Sequence, residues 1–109
     1  MGCNSRAKGA TGERQLAALL REYGYDAERT AQYCGKTGEA ADLRGLPGVH
    51  VECKRVERLD LQKAMEQAIN DAREDEIPAV FHRRNRDYWK VTLRLDDFMK
   101  IYKEWEIHQ

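Results

Sequence analysis

The chain predicts an α/β (α+β) fold, a mixed central sheet flanked by helices. Three observations carry this. Leu61, Ala64, Met65, Ala68, Ile69 and Ala72 recur at i, i+3, i+4, i+7, i+8 and i+11, the period of one helix face. "HVECKRVE", residues 50–57, alternates instead: Val51 and Cys53 stand between His50, Glu52 and Lys54, the period of a strand. The elements read in the order α-β-β-β-α-β-β-α, which points to a sheet with helices packed on it.

Residues 1–10 are small and polar, with Arg6 and Lys8, and read as a flexible, mildly basic N-terminal arm. Residues 11–109 then form a single domain, large enough for a real but modest core. Thr11 is placed to cap a first helix that runs to about Tyr23, with Glu13 in its first turn. Leu16, Leu19, Leu20 and Tyr23 give it an apolar stripe, and Gly24 ends it. "DAERTAQ" and "ADLRG" read as short strands on either side of a glycine-rich loop, "CGKTGE". "LPG" turns the second of them back into the 50–57 strand, making a hairpin. Asp60 caps the strongly periodic helix. "AVFHR" and "YWKVTL" are strands joined by "RNRD". Asp96 or Asp97 starts a last helix that turns Phe98, Met99, Tyr102 and Trp105 inward.

Composition narrows the function. The net charge is zero, which argues against indiscriminate coating of nucleic acid, although a neutral total can hide a polarised surface. Cys3, Cys34 and Cys53 have neither an even count nor CxxC spacing, so a disulfide framework or a zinc site is not expected and a reducing cytoplasm is. No run approaches the ~18 apolar residues of a membrane span, and the N-terminus has no apolar stretch of the signal-peptide kind.

Glu52 and Lys54 share one strand face. A single Glu-x-Lys is common on solvated strands, but its neighbours raise its weight. The hairpin can set Asp42 beside Glu52. Two adjacent carboxylates repel unless something positive lies between them, and a hard divalent cation with oxygen ligands does this well. Glu13 can supply a third carboxylate, and Lys54 stands within reach of the same ion and of a phosphate oxygen. His50 shares the face too, where a strand-end histidine near solvent is the plainer reading.

Glu13 within "GERQLAALLREYGYDAERT", Asp42 within "EAADLRG", and Glu52 and Lys54 within "HVECKR" resemble the PD-(D/E)XK nuclease superfamily. The chain is most similar there to archaeal-type Holliday-junction resolvases and small phage-encoded nucleases. The resemblance covers about residues 12–72; Ala41 stands where many members have Pro. It implies a restriction-endonuclease-like α-β-β-β-α-β core and Mg²⁺ (or Mn²⁺) held by Asp42, Glu52 and the backbone carbonyl of Cys53, with Glu13 binding directly or through water. It implies a catalytic set of Glu13, Asp42, Glu52 and Lys54, with Lys54 placing the attacking water or neutralising charge. Gln67 joins that set, since a glutamine from this helix lines the site in several related nucleases; a half-exposed surface side chain explains it equally well.

"HRRNRDYWK" carries four positive charges against one negative, so Arg83, Arg84 and Arg86 are candidates for phosphate contacts. The blander alternative is a solvated hairpin tip with Trp89 facing the core. Lys36 in the glycine-rich loop and Arg55 after Lys54 are further DNA-binding candidates. The reading is a Mg²⁺-dependent endodeoxyribonuclease, structure-specific in the manner of a Holliday-junction resolvase, acting on branched or duplex DNA in recombination within a bacterial or phage-infected cytoplasm. Symmetric nicking of a junction suits a homodimer, and the apolar supply of "YWKVTL" and "FMKIYKEWEI" fits a dimer surface or a final core helix. The alternatives are a nicking, flap or restriction-like nuclease, or a nucleic-acid-binding protein that does not cut.

Overall fold

The structure, a computed structural model, describes residues 2–30 and 42–109, with side chains described from residue 10 onward. Its elements are α1 (Gly2–Glu22), β1 (Glu28–Arg29), β2 (Leu43–Arg44), β3 (Val49–Arg55), α2 (Leu61–Asp71), β4 (Ile77–Arg83), β5 (Lys90–Thr92) and α3 (Leu95–Ile107). This is the predicted order. The strands form one mixed sheet in the order β1-β2-β3-β4-β5. Among the described strands, only the β3–β4 pair is parallel. That pair is joined through α2, the crossover that parallel strands require.

Each face of the sheet carries a helix. Leu16 and Ala17 of α1 pack with Ala27, Leu43, Val51, Cys53, Ala79 and Phe81. Ala64 and Ala68 of α2 pack on Val80 from the other side. Alternation along β3 therefore sends Val51 and Cys53 to α1, and His50, Glu52 and Lys54 to the α2 side. The face that carries Glu52 is roofed by α2, which buries it. The approach of α1 to β3 depends on Gly12. A Cβ there would lie 2.8 Å from Arg55 Cβ, so the helix can come this close only without a side chain.

Other signals hold locally. Asp60 caps α2 by accepting from the Lys63 N–H at 3.1 Å. Gly24 takes φ 100° just past α1, a conformation that favours glycine.

The helix expected to start at Thr11 begins at Gly2, so residues 2–10 run on as helix where a flexible arm was expected. Ala7 and Ala10 favour that continuation, and Ala10 is buried. α3 begins after Arg94, which makes no side-chain cap; Asp96 and Asp97 sit in its first turn, and Asp97 accepts from Arg94 Nε at 2.9 Å. The larger difference is its orientation. Phe98, Met99, Tyr102 and Trp105 are not turned inward but lie 38–54% exposed. The core under the sheet is filled by α1 and α2, and the apolar face of α3 has no partner among the described residues. No helix among the described residues is long and apolar enough to cross a membrane.

Candidate active site

The β2–β3 hairpin positions the first carboxylates. Asp42 precedes β2, and its N–H donates to the Val51 carbonyl at 2.9 Å. Its Oδ2 accepts from the Cys53 N–H at 2.7 Å, which holds the carboxylate beside the centre of β3. Glu13 approaches from α1, 6% exposed, and accepts from Arg29 Nε at 2.6 Å. Burial, then the field of Asp42 and to a lesser degree that of Glu52, push the Glu13 pKa up to about 7 against the opposing pull of Arg29. Glu52, 2% exposed, is also raised: burial dominates, Asp42 adds to it, and His50 and Lys54 oppose it. Lys54 Nζ lies 3.9 Å from Glu52 Oε2 and remains partly open to solvent. Glu13, Asp42, Glu52 and Lys54 thus meet around the middle of β3. Three clustered carboxylates, only partly offset by Arg29 and Lys54, suit a divalent cation.

A second grouping lies beside it. His50, Glu52 and Asp71 bring ligand-type atoms within 4.8 Å of one another. Asp42 and Glu13 fall outside this cluster. His50 is not the solvent-facing histidine of the plainer reading, because it is 1% exposed. Its Nε2 stands 3.4 Å from Glu52 Oε1 as an ion pair without a hydrogen bond, and its Nδ1 stands 3.8 Å from Glu76 Oε1. Burial alone would lower the His50 pKa, but Glu52, Glu76 and Asp71 together raise it.

The other sequence candidates separate. Gln67 is exposed on α2, and Lys36 lies outside the described residues. Arg55 points to the α1 side, with a buried Nε that has no hydrogen-bond partner. Arg83 braces the turn that follows it, donating from Nη1 to the carbonyls of Arg84 at 3.2 Å and Asp87 at 3.0 Å and lying over the Trp89 ring. Trp89 packs against the α1-side core, as the blander alternative had it. Arg84 and Arg86 face solvent, and Arg86 adopts φ 58° in the tight turn. Next to them, Arg83, Arg84, His82 and Lys90 line a cleft of about 310 Å³, partly offset by Glu57. Burial pushes the Cys53 thiol well above its usual range, so it is no nucleophile.

Sequence reasoning missed Asp71 and Glu76. Asp71 had a readable signal: it sits seven residues after Ala64, an acid on the buried stripe of α2.

A mixed sheet between helices, with a carboxylate-rich hairpin strand at its centre, defines a restriction-endonuclease-like fold. The chain belongs to the family described as "Phage putative PDDEXK endonuclease", whose sequence model matches residues 4–108. It is therefore a member of the PD-(D/E)XK nuclease superfamily. The solved structure of Hjc, a Holliday junction resolvase from the archaeal hyperthermophile Archaeoglobus fulgidus, is similar in fold. It aligns with a TM-score of 0.62 at 24% identity, over 78% of this chain and 76% of that one. No curated protein sequence matches the chain.

Proposed function

We propose that this protein is a divalent-metal-dependent endodeoxyribonuclease that cuts branched DNA, with resolvase-like specificity, as a homodimer inside the bacterial or phage-infected cell. The observation that carries the hydrolytic reading is the burial of Glu52 beside Asp42 and Glu13, with Lys54 at its open side. Asp42, Glu52 and the Cys53 carbonyl would hold Mg²⁺ or Mn²⁺, and Glu13 would complete the set. When bound, the ion supplies Lewis acidity toward the phosphate and a lowered pKa for water. Lys54 orients the attacking water and offsets charge that grows on the phosphate oxygens. Water adds at phosphorus, the bond to the 3′ oxygen breaks, and 5′-phosphate and 3′-hydroxyl ends result. Arg84, Arg86 and Lys36 hold the DNA backbone, whereas Arg83 acts by fixing the turn that presents its neighbours. Gln67 and Arg55 contribute less than they promised, the first being exposed and the second lying behind the sheet.

The dimer reading rests on α3. Its exposed Phe98, Tyr102 and Trp105 stack along one side, with ring centroids 6.2 and 5.4 Å apart. A contiguous aromatic strip of this kind marks an interface. The Hjc likeness supports the junction as substrate, because that protein is a Holliday junction resolvase.

The test is cleavage of end-labelled four-way junction, flap, duplex and single strand with Mg²⁺ or Mn²⁺, by wild type and Glu52→Gln. Paired symmetric nicks in the junction alone, lost in the variant, are the expected result. Cutting of other shapes would keep the nuclease and replace its substrate. Tight DNA binding without cutting would leave a binding protein.

A further inference from the structure

The surroundings of His50 are over-supplied with negative charge. Glu52, Asp71 and Glu76 all face one imidazole. Glu76 is partly accounted for, accepting from the Arg73 N–H at 2.9 Å and from its guanidinium at 3.4 Å. Asp71 accepts no hydrogen bond among the described residues. It also ends α2, and its last turn carries no basic residue. An acid there opposes the helix dipole, so Asp71 is poorly explained as a helix-stabilising residue.

His50 gives the independent observation. Its Nε2 is fully buried, makes no hydrogen bond, and is turned toward Glu52. A buried ring nitrogen that lies against a carboxylate without a hydrogen bond is costly unless a further group satisfies both. Its other nitrogen faces the Glu76 carboxylate, the arrangement by which a metal-bound histidine is usually oriented from behind. A cleft of about 820 Å³ lined by His50, Asp71 and Glu76 brings solvent to the outer edge of the cluster, with Glu52 buried behind it.

We propose that His50, Glu52 and Asp71 form a second divalent-cation site, which takes Mn²⁺ in preference to Mg²⁺ because one of its ligands is an imidazole nitrogen. Glu52 is shared, with Oε1 toward His50 and Oε2 toward Lys54. The site rests on the nuclease reading for its place beside the scissile phosphate, whereas binding of the ion rests on these three ligands alone.

The experiment uses the full chain with Mn²⁺ alone, followed by calorimetry and pulsed electron paramagnetic resonance. Wild type is expected to bind a second manganese equivalent beyond the Asp42 site, with nitrogen modulation from His50. Asp71→Asn should weaken that equivalent by about tenfold or more, and Asp42→Asn should keep the nitrogen signal. No nitrogen modulation in wild type, which needs no variant to fold, overturns the proposal. So does unchanged Mn²⁺ uptake by Asp71→Asn. Cleavage without the nitrogen signal would discard this site and spare the nuclease; the nitrogen signal without cleavage would do the reverse.

Discussion

The middle of β3 and the length of α3 invert the usual partition of a folded chain in opposite senses. β3 and its neighbours bury Glu13, His50 and Glu52 to 6% exposure or less. α3 leaves Leu95 72%, Trp105 54% and Ile107 70% exposed. Buried charge is stable only when paired or bound to an ion, and a broad apolar face is stable in water only when covered. Each region therefore carries groups that the fold only partly satisfies. On the proposed function, what completes each differs: a cation at the sheet, a second copy of the chain at the helix. Function in this small protein lies where ordinary folding rules are broken.

Removing the central carboxylate has the largest expected effect. Glu52→Gln should lower cleavage by about a thousandfold or more, consistent with losing several kcal/mol of transition-state stabilisation, while far-UV circular dichroism stays unchanged. The α3 side is broken by Trp105→Asp. Dimer dissociation, followed by analytical ultracentrifugation, should become roughly thirtyfold easier or more if Trp105 is an interface anchor. A smaller effect tests the scaffold between the two. Gly12→Ala forces a Cβ against Arg55 and should cost about 1–3 kcal/mol, read as a fall in Tm.

The smallest effect is in pH. The Glu13 pKa of about 7 stands above the ordinary 4.5, so the fold favours its protonated form. Its contribution to stability is full below pH 4.5 and is lost as pH rises through 7. In the metal-free protein, the stability of wild type relative to Glu13→Gln should therefore fall over that window, by on the order of 1–3 kcal/mol. Denaturant titrations at several pH values measure it. A flat difference would mean that the Glu13 carboxyl is not raised above its ordinary range in the fold.

Much of this architecture was legible in the chain because its signals are local. The 61–72 period, the Asp60 cap, Gly24 and the alternation of 50–54 each act over a few residues, and the order of elements fixes a crossover between β3 and β4. The proximity of Glu13, Asp42, Glu52 and Lys54 was legible too, since a hairpin and one helix suffice to bring them together. What depends on distant packing was not. Phe98, Tyr102 and Trp105 repeat at helical spacing whether they face a core or a partner, so periodicity alone could not orient α3. Thr11 looked like a cap because nothing nearby showed that the helix runs on from Gly2. Asp71 stood on an alanine stripe but could be read only once α2 was seen to roof the face of His50 and Glu52. Arg83 looked like its neighbours until its bonds to the turn were visible.

The claim that a divalent cation completes the buried charge is tested most directly by thermal unfolding of wild type and Glu52→Gln, each with and without Mg²⁺ or Mn²⁺. Saturating cation should raise the wild-type Tm, with about 2.7 kcal/mol of stabilisation at a hundred times Kd. Glu52→Gln should melt above wild type without the ion, because repulsion is relieved, and should respond little when the ion is added. No cation response in wild type, or an equal response in both proteins, would contradict the account.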